Sequence, residues 1–106
     1  LAAADTARGE EALATLGWVY ALAGQREQAR EIRVRLQEAA DTRYLSPYFL
    51  AFLADALGDR RAAFAALDRA LEVRAPELVD LRIDARMDRL RVDRRFDAVA
   101  RRIGLP

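Results

Sequence analysis

The chain has 106 residues, 18 basic and 17 acidic side chains, a net charge of +1, and neither cysteine nor histidine. That length fits one domain. The missing residue types remove disulfides and the usual ligands of zinc, haem and iron–sulfur clusters, so no cofactor and no metal is expected.

Every basic residue is an arginine, and alanine is the commonest residue. Both are strong helix formers. The near-neutral mixture of signs reads as a solvated helical surface, not a nucleic-acid footprint. No apolar run is long enough to span a membrane. The start, Leu1-Ala2-Ala3-Ala4, lacks the basic segment and apolar stretch of a secretory signal. A cytoplasmic protein is the resulting expectation. The chain does not begin with Met, so a piece of a longer polypeptide is expected.

The first helix is predicted from about Thr6 or Gly9 to Ala23, with Leu13, Leu16, Tyr20 and Ala23 as its inward stripe. Gly24 follows as a left-handed helix end, and Gln25 can cap the next helix. The second helix runs from about Arg26 to Ala39, with Ala29, Ile32 and Leu36 inward. Asp41-Thr42-Arg43 reads as a connector. Ser46-Pro47 is a start signal, an N-cap serine with proline at the first helical position. The third helix continues to Leu57 and ends at Gly58, with Asp59 as the next cap. The fourth runs from about Arg60 to Val73, with Ala63, Leu67 and Ala70 inward, and Pro76 stops it.

The sequence matches itself at a shift of 34 residues. Leu16 falls on Leu50, Gly17 on Ala51, Trp18 on Phe52, Val19 on Leu53, Gly24 on Gly58, Ala29 on Ala63 and Leu36 on Ala70. Each pair keeps its class: large apolar, small, aromatic or glycine. Small residues at 17, 51, 29 and 63 permit close helix approach, as an antiparallel helix pair with a short loop requires.

This period, with Leu16-Gly17, Tyr20, Gly24, Ala29 and Leu36 in the first copy, resembles the tetratricopeptide repeat. The second copy carries Leu50-Ala51, Ala54, Gly58-Asp59, Ala63, Leu67, Ala70 and the late Pro76. The first copy lacks the closing proline, and Ala54 stands where the first has Tyr20. The resemblance covers about Glu10 to Pro76. It implies an all-α protein: an α-α superhelix of two helical hairpins, at about 9–42 and 43–76, plus a capping segment at 77–106.

In the tail, Glu77 to Arg82 is predicted as a short helix. Asp84 caps a turn holding Met87 and Leu90, and Asp93 caps a last helix from Arg94 to Ile103. Phe96, Val99, Ala100 and Ile103 point inward on that helix. Arg94, Arg95, Arg101 and Arg102 face water, and Gly104 and Pro106 end the chain. Such a segment covers the apolar end that a short solenoid exposes. The strings Tyr44-Leu45-Ser46-Pro47-Tyr48, Gly58-Asp59, Pro76-Glu77-Leu78-Val79 and Asp93-Arg94-Arg95-Phe96 resemble the carboxy-terminal repeat region of multidomain bacterial signalling proteins. There such repeats follow a kinase, cyclase or winged-helix domain. Ala85, Arg89 and Arg94 stand where that group carries prolines. The resemblance also implies that Pro106 lies at or near a natural carboxy terminus.

No nucleophile–base pair or Gly-rich phosphate loop is present. Asp84 and Asp88, four residues apart, are interleaved with arginines and read as caps and ion pairs, not as an acid–base pair. An enzyme is therefore not expected, nor is a small-molecule substrate. Trp18 and Phe52 occupy equivalent places on the first helix of each hairpin, which the resemblance turns towards the concave groove. Ala14, Trp18, Leu22, Tyr48, Phe52 and Asp55 are the expected partner-binding groove. The family's charged clamp of Lys, Arg and Asn has no counterpart there, so an apolar or amphipathic helical peptide fits better. The alternative is self-association that brings two upstream domains together.

Overall fold

A computed structural model describes residues 2–104, and side chains from residue 6 onward. The described residues form helices joined by short turns, with no strand. The expected stop at Pro106, and its place at a natural terminus, lie outside the described residues.

The first hairpin is α1 (Ala2–Leu22) and α2 (Arg26–Thr42). The second is α3 (Pro47–Ala56) and α4 (Arg60–Glu72). A 3-10 turn at Pro76–Asp80 and another at Ala85–Met87 lead into a single turn, α5 (Asp88–Arg91), and then α6 (Arg94–Arg102). Two boundaries differ from expectation. The first helix begins several residues earlier, and α2 runs through the expected connector to Thr42, with the Thr42 hydroxyl donating to the Ala39 carbonyl at 3.1 Å.

Caps fix the helix starts. The Ser46 hydroxyl accepts from the Tyr48 amide at 3.3 Å, with Pro47 at the first helical position. The Asp59 carboxylate accepts from the Ala62 amide, and Asp93 accepts from Arg95. Gln25 makes no side-chain cap bond, contrary to its expected role, and α2 starts without one. Three helix ends share one geometry. Gly24, Gly58 and Arg74 have positive φ, and the residue after each donates five positions back, to Tyr20, Ala54 and Ala70. Glycine adopts that conformation freely; Arg74 does not.

α3 sits at the centre, against α1, α2 and α4. Ala51 to Leu57 are all buried, as a helix that is apolar all round requires. Ala29, Ile32 and Leu36 of α2 and Ala63, Leu67 and Ala70 of α4 are buried as expected. The α1 stripe is not as expected. Its buried face is Glu10, Ala14, Gly17 and Ala21, while Leu13 and Tyr20 are half-buried and Leu16 and Ala23 are exposed. Ala14 and Ala21, not the leucines, let α1 lie close on its neighbours. The opposite face of α1 is left in water.

A Cβ added at Gly17 would lie 2.9 Å from Leu53 Cδ1 and 3.0 Å from Ile32 Cγ2, so the helices meet too closely there for a branched side chain. Gly17→Val lowers stability by about 1–3 kcal/mol through overpacking. Gly9→Ala, in open space on the same helix, raises it by roughly 0.5–1 kcal/mol. Urea unfolding followed by circular dichroism checks both signs.

Candidate protein-interaction surface

The six expected groove residues do come together on α1 and α3, but not as an open groove. Ala14, Tyr48 and Phe52 are wholly buried and Asp55 nearly so. Trp18 is half-buried, and Leu22 is half-exposed. The expected exposed aromatic patch is therefore corrected: the chain's own tail covers it. Tyr48 and Phe52 pack edge to face with ring centres 6.2 Å apart, and Phe49 packs on Phe52 at 6.5 Å.

Arg86 holds the tail in place. Its guanidinium carbon lies 4.3 Å from the centre of the Phe52 ring. It donates to Thr15 Oγ1 at 2.9 Å, pairs with Glu11 at 3.0 Å and makes two bonds to Asp84 at 2.9 and 2.7 Å. Thr15 and Glu11 belong to α1, while Phe52 belongs to α3, so one side chain spans both hairpins. Asp84 also accepts from the Tyr48 hydroxyl at 2.7 Å. Behind this cluster Leu81, Met87 and Leu90 are wholly buried. Arg91 donates to the Leu81 and Asp84 carbonyls and so closes the strap on itself.

The electrostatics follow from this contact. Burial pushes the Tyr48 hydroxyl well above its ordinary value of 10, and its bond to Asp84 adds to that. Burial alone would raise the Asp84 carboxyl, but the bonds from Arg86 and Tyr48 outweigh it and hold the group below 3.8. Burial works against the Arg86 charge too, and the Asp84 and Glu11 bonds outweigh it. Asp55, at the groove's far end, pairs with Arg60 at 3.2 Å, and Arg60 reaches Asp93 at 3.5 Å. α6 then lies on α4, with Phe96, Val99 and Ala100 buried and Ile103 half-buried. Arg94, Arg101 and Arg102 are exposed, and Arg102 pairs with Asp68. Arg95 is exposed as well and stacks over Phe64.

Among the described residues no pocket gathers spare polar groups. In a cleft of about 420 Å³ beside the start of α1, Glu10 accepts two bonds from Arg43, and Glu77 accepts from Ser46. Among the described residues no group of acidic side chains is placed to hold a metal ion, and no helix is long and apolar enough to cross a membrane.

Sequence reasoning missed two features. One is the anchoring role of Arg86, whose contact to Thr15 spans 71 positions and leaves no local signal. The other is the outer face of α1. Ala12, Leu16, Val19 and Ala23 are exposed there, Leu16 at 44% and Val19 at 48%, within an arc of about 60° at about 100° per residue. Leu22 adjoins this stripe. The signal is present in the sequence, since α1 carries apolar residues all round. Val79, Ile83 and Val92 are also exposed, but singly, on different turns of the tail.

No family model matches the chain, and no curated protein or solved structure matches it.

Removing the anchor strands its partners. Arg86→Ala lowers stability by about 2–4 kcal/mol, because Asp84 and Glu11 each lose their guanidinium partner. Thermal unfolding reads this as a fall of roughly 10 °C or more. The pH dependence has a fixed sign. A carboxyl held below its unfolded value adds stability above that value and loses it as pH falls through the folded one. The advantage of the wild type over Asp84→Asn is therefore full at neutral pH and shrinks below about pH 4. Urea midpoints at several pH values check it.

Proposed function

We propose that the chain is a protein–protein interaction module of the tetratricopeptide type and that its working surface is the outer face of α1. The observation that supports this most directly is the uncovered stripe Ala12, Leu16, Val19 and Ala23. A row of apolar side chains on one helix face, left in water, is the ordinary mark of a binding surface. Catalysis needs polar groups that converge in a pocket, and the polar groups of the cleft beside α1 are engaged with one another.

The groove remains a second candidate surface, favoured by the aromatic pair Tyr48 and Phe52. A ligand there must first lift the strap and expose Leu81, Met87 and Leu90. At about 1.5–3 kcal/mol per side chain, that costs on the order of 5–9 kcal/mol, close to the whole stability of a small domain. A free peptide cannot readily supply that in addition to its own association cost. The outer face of α1 demands no such opening, and this difference in cost decides between the two surfaces. The similarity to repeat regions of bacterial signalling proteins suggests the role: a module that brings an attached regulatory domain to its partner.

Immobilised wild-type chain captures a partner from an extract of the source cells, and a Leu16→Glu, Val19→Glu variant loses that capture. The variant keeps the wild-type circular dichroism spectrum, because both positions are half-exposed. Equal capture by the two chains removes α1 from the proposal.

A further inference from the structure

The occupant of the α1 face follows from what else the fold leaves open. A stack of helical hairpins has two apolar ends. Here α6 covers the far end, burying Phe96, Val99 and Ala100 against the second hairpin. Head-to-tail stacking of copies, in which the end of one chain meets the start of the next, is therefore blocked. Any contact between two copies through the uncovered end must be isologous, the same face on both chains about a two-fold axis.

The stripe is self-complementary under that operation. Its positions, 12, 16, 19 and 23, are symmetric about a point between residues 17 and 18. In an antiparallel pair of α1 helices, Ala12 of one copy lies opposite position 23 of the other, and Leu16 lies opposite position 19. The two large side chains meet at the centre. The two alanines, at the ends, let the helix backbones approach. Neither Ala12, Leu16, Val19 nor Ala23 carries a charge, so no like-charge pair is brought together along the seam. The stripe is about 16 Å long at about 1.5 Å per residue, so the buried area falls below the roughly 800 Å² per partner of a standard interface.

We infer that the α1 face binds a second copy of this chain, as a weak, symmetric, antiparallel helix pair with Leu16 of each copy against Val19 of the other. The inference rests on the reading of the outer face of α1 as the working surface. A small apolar seam of this kind gives a dissociation constant on the order of 100 µM. The dimer therefore forms where the chains are concentrated or already held near each other, which suits a module that reports proximity of attached domains.

Sedimentation equilibrium of the full chain tests this, from about 10 µM to 1 mM, a range that brackets that constant. The expected average mass rises from 11.9 kDa towards twice that value. Leu16→Glu and Val19→Arg chains each stay monomeric across the range. An equimolar mixture of the two recovers the dimer, because the register sets the carboxylate introduced at position 16 of one copy against the guanidinium introduced at position 19 of the other. A wild-type chain that stays at 11.9 kDa throughout overturns the second copy as occupant. If that monomer still captures a partner through Leu16 and Val19, the α1 surface stands with a different occupant. A dimer indifferent to Leu16→Glu places the contact elsewhere and overturns the inference. Loss of dimer in both single variants without recovery in the mixture overturns the antiparallel register.

Discussion

Arg86 lies on the Phe52 ring with its remaining polar reach spent on Asp84, Glu11 and Thr15. The guanidinium is suited to this because it is planar, keeps its charge when partly buried, and offers donors in several directions. Around it, Tyr48 gains a partner for its hydroxyl, and Leu81, Met87 and Leu90 are pressed into the space between the hairpins. Without that contact the concave side of two hairpins would be an open aromatic trough. With it, the trough becomes part of the core, and the free apolar surface moves to the opposite side of α1.

The helices α2, α3 and α4 are legible because local rules and packing agree in them. Ser46-Pro47, Asp59 and the glycines at 24 and 58 each mark an end that the backbone adopts. Ala29, Ala63 and Ala70 sit where a small residue is needed between helices. α1 defeats the same rules because apolar residues surround it on every side, so the period that selects a buried stripe elsewhere selects none there. Leu13 and Tyr20 turn partly inward, while Leu16 and Ala23 turn out. The choice depends on Gly17 and the closeness of Ile32 and Leu53, which is a property of the assembled hairpins.

The groove residues are legible as a cluster and not as a surface. Spacing alone places Ala14, Trp18, Tyr48, Phe52 and Asp55 on facing helices. Whether water, a partner or the tail meets them depends on contacts between positions 15 and 86, and no repeat signal reaches that far. The tail itself folds as short 3-10 turns, because Asp84 and Asp93 cap without proline beside them and α4 ends on Arg74 in a left-handed conformation. A non-glycine residue there stores about 1–2 kcal/mol of strain. The Ala75 to Ala70 hydrogen bond and the turn at Pro76 hold it.

The reach of Arg86 has a thermodynamic consequence as well as a spatial one. A linear stack of hairpins is held by nearest-neighbour contacts, so its ends fray independently of its middle and its melting broadens. A tie from the tail back to α1 closes such a stack into a ring of interactions: α1 to α3, α3 to α4, α4 to α6, and the strap to α1 again. Neither terminus of a ring is its weak link. Losing any one contact loosens the rest, so a fold drawn from a modular architecture becomes a single cooperative unit.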